Sequence, residues 1–185
     1  MDRALLILDL DETLIFASEQ ELERPADFRV FYYHAYRRPG LAEFLNEIRR
    51  HYRIAVWTSS SPDYGSMVVE NIFPANYPLE FVWARDRCTL KRDFSMCEYH
   101  YIKNLKKAKR LGFPLQRMLI VDNTPAKVRL NYGNAVYVQT WEGDLNDREL
   151  PRLAKYLWSI RDYANYRRLE KRGWRSKDPD AGPIA

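Results

Sequence analysis

A chain of 185 residues with 46% apolar and 30% charged residues is long enough to bury a real core, and reads as one domain with room for a small appendage. No stretch approaches the roughly 18 uncharged apolar residues of a membrane span. Strand-forming sequence begins almost at the N-terminus and leaves no room for a signal peptide. These features exclude a membrane partner and point to the cytoplasm, or to the nucleus if the source is a eukaryote. Cys88 and Cys97 lie nine positions apart, with no His or Cys partners at zinc spacing. They read as reduced structural thiols, with a disulfide as the alternative. The net charge of +5 and pI near 9.2 lean toward anionic partners.

The first element is the apolar run Leu5, Leu6, Ile7, Leu8, which has the continuous hydrophobicity of a strand buried on both faces. It ends in Asp9 and Asp11, followed by Glu12 and Thr13. Alternation along an extended chain predicts that the two aspartates project on the same side, with Leu10 opposite. Strand tips are where α/β sheets hold ligands. Two carboxylates this close repel each other unless a cation lies between them, and a hard divalent ion with oxygen ligands, Mg²⁺ above all, suits them. The competing reading is a helix N-cap, which two aspartates at this spacing disfavour.

Residues 17–36, which contain VFYYHAY, read as a β-hairpin insertion. Pro39-Gly40 then opens a helix with Leu41, Phe44, Leu45 and Ile48 on one face. The strand RIAVWT (53–58) delivers Thr58, with Ser59, Ser60 and Ser61 behind it, where hydroxyls and backbone N–H groups suit a phosphate. An ordinary Ser-rich cap competes with that reading. Asp63 is expected to cap a second helix carrying Met67, Val68 and Ile72, and a strand follows at 81–84. Between positions 85 and 110 stand nine Lys or Arg against three acidic residues: a basic rim for acidic or phosphorylated substrates, or simply a solvated helix face. A helix over 99–111 is expected to carry Lys103, which periodicity does not distinguish from its basic neighbours. The strand 118–122 ends in Asp122-Asn123, a third carboxylate at a strand tip, although Asp-Asn also makes good turns. A strand at 135–138 and a long tyrosine-bearing helix at 150–169 complete the pattern, and the sequence from Arg172 onward reads as a loose tail. Strands alternating with helices predict an α/β fold, a mostly parallel sheet with helices on both faces.

In this order, DLDET (9–13), Thr58 after an apolar strand, Lys103 and VDN (121–123) resemble the four motifs of the haloacid dehalogenase superfamily. RRPG (37–40), Arg85-Asp86 with Cys88, Y-x-K-N-L (101–105) and LIVDNTP (119–125) resemble one branch, the phosphatases similar to RNA polymerase II C-terminal-domain phosphatases. Trp141, Asp147 and Glu149 provide a branch-like ending. The resemblance covers roughly residues 3–160, which implies a phosphatase domain at 1–160 followed by a helix end and tail at 161–185. Two departures stand out: the link at 88–101 is long, and Trp57 replaces the usual Phe.

The resemblance implies that Asp9 is a nucleophile forming an aspartyl-phosphate, and that Asp11 is the acid and then the base. Thr58, Ser59 and Lys103 would hold the phosphoryl oxygens. Mg²⁺ would be held by Asp9, the Asp11 backbone carbonyl and Asn123, with Asp122 behind them beside Lys103. Thr13 would orient the loop after the nucleophile. No cap of 50 or more residues fits between the motifs, and an open site suits a phosphorylated macromolecule, most simply a phosphoserine or phosphothreonine protein. The alternatives are a phosphatase for nucleotides or nucleic-acid ends, which the 14% aromatic content would suit, and a non-catalytic phospho-binding module. Tyr156, Tyr163 and Tyr166 are expected to pack rather than to stack on bases.

Overall fold

A computed structural model gives the structure of residues 3–93 and 98–177. The centre is a parallel sheet of five strands: β1 (Ala4–Leu8), β5 (Tyr52–Trp57), β6 (Leu79–Trp83), β9 (Met118–Asp122) and β10 (Ala135–Tyr137), in the order β10-β9-β1-β5-β6. β1 lies in the middle and every one of its residues is buried. The two-residue period of a strand divides the core in two. Leu6, Leu8, Ile54, Val56, Leu119 and Val121 point to one face, which is covered by α1 (Leu41–His51), α2 (Pro62–Ile72) and α5 (Glu149–Ile160). Leu5, Ile7, Ala55, Trp57, Met118 and Ile120 point to the other, which is covered by the short helices α3 (Lys106–Lys109) and α4 (Pro125–Val128) through Ala108 and Val128. Helices on both faces of a parallel sheet are the architecture expected.

α1 buries Leu41, Phe44, Leu45 and Ile48. It starts at Gly40, whose φ of 78° favours glycine and where a Cβ would meet the Pro151 ring at 3.0 Å. α2 is capped by Ser61, whose hydroxyl accepts from the Tyr64 N–H, with Pro62 at its first position. Asp63 lies inside the first turn and is not the cap expected from the sequence. Proline suits a position whose N–H is unsatisfied, and that moves the helix start two residues earlier.

The insertion has one strand more than a hairpin. β2 (Ile15–Ser18), β3 (Phe28–Val30) and β4 (Tyr33–Arg37) form an antiparallel sheet with β4 in the centre. Two strands alone are marginal in water, and β2 adds the third. The helix expected over 99–111 is replaced at its start by an antiparallel pair, β7 (Thr89–Asp93) and β8 (Glu98–Ile102). Tyr99, His100, Tyr101 and Ile102 are aromatic or β-branched residues, which favour an extended chain once a partner strand is present. Cys88 is free and buried, whereas Cys97 lies outside the described residues.

α5 ends at Ile160, nine residues before the helix end expected at Leu169. The chain beyond it is docked. Tyr166 is fully buried, and the Lys171 ammonium donates to the carbonyls of Gly133, Tyr166 and Leu169. Trp174 stacks on Tyr156 with ring centroids 5.5 Å apart and donates its indole N–H to the Tyr137 carbonyl at 2.8 Å. Arg175 pairs with the buried carboxylate of Glu149. The stretch 172–177 is therefore part of the fold, against the loose tail read from its composition, because one large ring has a prepared seat. Tyr163 is about half exposed, while Tyr156 and Tyr166 pack as expected.

Candidate active site

The chain leaving β1 keeps one more ladder bond, from the Asp9 N–H to the Val121 carbonyl at 3.0 Å, and then turns. The Thr13, Leu14 and Ile15 N–H groups all point to the Leu10 carbonyl, and Glu12 takes a positive φ of 59°. The strand ends at Leu8, so simple alternation does not govern Asp11. The two aspartates engage different partners.

Asp9 is 1% exposed. Its Oδ1 accepts from the Lys103 ammonium at 2.5 Å, and its Oδ2 accepts from the Thr13 hydroxyl at 3.2 Å. The same ammonium donates to Asp122 Oδ2 at 2.7 Å, and Asp122 Oδ1 accepts from the Thr124 N–H. Lys103 follows β8 directly. Its N–H donates to the Lys127 carbonyl, and its carbonyl accepts from the Asn131 amide. Burial alone would push the Lys103 ammonium down, but Asp122 and Asp9 reverse the sign and hold it above its ordinary value. Burial, and then the Asp9 charge, push the Asp122 carboxyl up against the pull of Lys103.

Asp11 sits among hydroxyls. Its Oδ1 accepts from Tyr64 at 2.6 Å, and its Oδ2 accepts from Ser60 at 2.8 Å and from Thr58 at 3.3 Å. Burial and the Asp11 charge push the Tyr64 phenol well above its ordinary value. Thr58 is fully buried, its N–H bound to the Trp83 carbonyl and its Oγ1 accepting from the Ser60 N–H. Two of the N–H groups expected to meet a phosphate are therefore engaged within the protein. Gly65 permits this packing, because a Cβ there would meet Thr58 Cγ2 at 3.1 Å.

Asn123 is oriented by its own amide N–H groups, which donate to Glu12 at 3.0 Å and to Thr140 at 3.2 Å. That turns its Oδ1 toward the Thr13 hydroxyl, 3.5 Å away, which also reaches Asp9. One hydroxyl proton cannot serve both oxygens. Asp9 and Asn123 thus both turn an oxygen toward the Thr13 hydroxyl, and Asn123 Oδ1 also accepts from the Thr124 hydroxyl at 3.1 Å. An oxygen-only donor set with a single side-chain carboxylate fits Mg²⁺, which keeps most of its waters. Among the described residues, no group of three or more His, Cys, Asp or Glu is placed to hold a metal ion.

A cavity of about 560 Å³ opens in front. Phe31, Tyr32, Tyr33 and Tyr64 form one wall, Arg85 and Lys127 stand in the lining, and Asp11, Glu12 and Ser59 to Ser61 belong to it. Ser59 is held from behind, its carbonyl accepting from Arg85 Nε. Of the site residues proposed from the sequence, Asp11 and Ser59 line this cavity; Asp9, Thr58, Lys103 and Asp122 are buried, and Asn123 donates to Glu12, which lines it. The sequence offers Ser60 as one of the phosphate-binding serines, not as a partner of Asp11, and assigns no role to Glu12 or Tyr64; Tyr64 follows Thr58 by six residues on the adjoining helix, a spacing that only the turn at 59–61 makes meaningful. It also assigns no role to Arg38, fully buried, which donates bidentately to Asp147 at 2.9 and 2.8 Å and to the Thr13 carbonyl.

The family model described as NLI interacting factor-like phosphatase matches residues 4–167. The chain belongs to that family. Within this phosphatase family, it is 30% identical over 169 residues to the CTD small phosphatase-like protein 2 of Dictyostelium discoideum, an alignment covering 88% of this chain and 28% of that protein. The chain therefore spans less than a third of that relative. The solved structure of Fcp1, an essential RNA polymerase II CTD phosphatase, shares the fold with a TM-score of 0.68 at 18% identity, over 86% of this chain and 62% of that one. A haloacid dehalogenase-like hydrolase from Xanthomonas campestris shares it with a TM-score of 0.56 at 10% identity, over 88% of this chain and 99% of the other.

Proposed function

We propose that this phosphatase-family chain is a Mg²⁺-dependent phosphomonoesterase that works through an aspartyl-phosphate on Asp9, with phosphoserine or phosphothreonine in a protein as substrate. The observation that carries the reading is the fully buried Lys103, shared between Asp9 and Asp122 at 2.5 and 2.7 Å. It pairs with the nucleophile in a dry place and supplies a cation where phosphoryl charge develops.

In the first step an Asp9 oxygen bonds to phosphorus as the bond to the leaving oxygen breaks, and Asp11 gives that oxygen its proton. In the second step water attacks phosphorus and passes its proton to Asp11, and the bond to Asp9 breaks. Such acid–base assistance is worth roughly 10²–10⁴ in rate. Thr58 and Ser59 offer their hydroxyls to the phosphoryl oxygens alongside Lys103. Mg²⁺, held by Asp9, the Asp11 carbonyl and Asn123, would reduce the repulsion between an anionic nucleophile and an anionic ester.

A protein substrate is supported by the cavity itself, which has an aromatic wall on β3–β4 and α2 and cations at Arg85 and Lys127. The exposed rings of Phe31 and Tyr32 also suit a nucleobase, so nucleic-acid ends are the second reading. A panel of phosphopeptides, mononucleotides and end-phosphorylated oligonucleotides separates the two. Turnover of phosphopeptides is expected, stopped by EDTA and restored by Mg²⁺. Turnover of oligonucleotides alone would reject the protein substrate, and activity indifferent to EDTA would reject the cation.

A further inference from the structure

We infer that Tyr64 is a positioning residue for Asp11, supported by Ser60, and that its hydroxyl governs how well the enzyme acts on phosphoesters whose leaving oxygen needs a proton. The inference rests on Asp11 being the acid in the function proposed above. Asp11 lies beyond the end of β1, where its backbone forms an isolated bridge with Ile15 rather than a place in the central sheet, so that sheet does not fix its side chain. What fixes it is the pair of contacts on opposite oxygens: Tyr64 at 2.6 Å on Oδ1 and Ser60 at 2.8 Å on Oδ2. Together they set both side-chain torsions, which a single partner would leave free to rotate.

Tyr64 is well placed for this. It stands in the first turn of α2, its N–H tied to the Ser61 cap. Its ring is 8% exposed and meets Tyr33 edge-on, with centroids 6.2 Å apart. A rigid ring with one rotatable hydroxyl is a precise donor, whereas the Lys103 ammonium serves Asp9 and Asp122 instead. The chemistry of the two partners differs accordingly. An ion pair suits a group that must remain charged. Neutral hydroxyls suit one that alternates, because a hydroxyl can donate to the carboxylate after proton transfer and accept from the carboxylic acid before it. Tyr64 also lines the cavity, so the ring that sets the acid belongs to the wall beside Asp11.

The proton path is closed over a turnover. Asp11 loses its proton to the leaving oxygen as the phosphorus–oxygen bond breaks, and Tyr64 and Ser60 then donate to the carboxylate so formed. The attacking water returns a proton to Asp11 as the Asp9–phosphorus bond breaks.

The test is a leaving-group series (2,4-dinitrophenyl, 4-nitrophenyl and phenyl phosphate, and phosphoserine) on the wild type, Tyr64→Phe and Ser60→Ala. Tyr64→Phe retains the ring and its packing. It is expected to lower kcat/KM by about ten-fold on phenyl phosphate and phosphoserine, a part of the roughly 10²–10⁴ that acid–base assistance supplies. On dinitrophenyl phosphate, whose leaving group departs without a proton, the loss is expected to stay below about two-fold, so the dependence on leaving-group basicity steepens. Ser60→Ala is expected to steepen it less. An equal loss on every ester, which is what damaged packing produces, would overturn the proposal, as would no loss on any. Wild-type turnover surviving in Asp9→Asn would instead remove the nucleophile assignment on which the proposal rests, whatever the slope.

Discussion

Asp9 and Asp11 are two residues apart and live in unlike surroundings. Asp9 is buried, laddered to β9 through its backbone and ion-paired with a lysine that is itself fully buried. Asp11 lies just before a turn, at a cavity wall, held by three hydroxyls. The difference teaches how one short motif supplies two kinds of carboxylate. For the attack proposed for Asp9, a salt bridge in a dry site holds the carboxylate still. A group that must take up and release protons needs neutral partners and access to water.

The largest expected effect breaks the Asp9 side. Asp9→Asn should lower kcat by at least about 10⁴-fold on every ester, because no nucleophile replaces it. Asp11→Asn should cost more on phosphoserine than on dinitrophenyl phosphate. Equal losses in the two variants across all esters would dissolve the distinction between them. Circular dichroism checks that both remain folded.

Lys103→Met tests the ion pair as structure. It leaves Asp9 and Asp122 buried without their cation, and the expected loss is about 3–5 kcal/mol in denaturant unfolding, the usual penalty for removing one partner of a buried pair. A loss under about 1 kcal/mol would mean that the carboxylates are already solvated or neutral.

Trp174→Ala lies outside both regions and sets the baseline. Loss of its seat against Tyr156 should cost about 3 kcal/mol and leave the leaving-group dependence unchanged for the molecules that stay folded. A steeper dependence would mean that the docked tail reaches the site.

The smallest effect is a pH dependence. Burial raises the Asp147 carboxyl, but the Arg38 hydrogen bonds and the Glu149 N–H outweigh it and hold it below the ordinary value. A depressed carboxyl contributes stability that is present above the unfolded pKa, about 3.9, and is lost as pH falls through the folded pKa. The stability gap between wild type and Asp147→Asn should therefore be widest near neutrality and close in acid. Because Arg38 also donates to the Thr13 carbonyl, and Thr13 to Asp9, the same variant should slow the Asp9 step slightly. A gap that widens in acid would contradict the Arg38–Asp147 pairing.

Several of these groups were legible in the chain, each for a local reason. β1 and β9 were readable because continuous apolar runs buried on both faces have few other uses, and polar residues at their ends mark strand tips. α1 was readable from Leu41, Phe44, Leu45 and Ile48. Lys103 was singled out by resemblance alone and placed on a helix; the pairing of β7 with β8 makes its approach an extended one. Lys, Ala and Leu within 99–111 favour a helix, whereas the strand at 98–102 depends on a partner several residues away, which no local pattern shows. Trp174 looked like part of a tail, since nothing local reveals the groove beside Tyr156.

By itself the sequence determined the parallel sheet, the strand tips at Asp9, Thr58 and Asp122, and membership of an ordered motif set, because burial period and local spacing are properties of neighbouring residues. Only the tertiary structure decided which partner each carboxylate takes, that Tyr64 and Ser60 reach Asp11, that Arg38 joins Asp147 to the motif loop, and that the chain after Ile160 docks. Those contacts join positions far apart in the chain, and their energies depend on burial and geometry that no local pattern encodes.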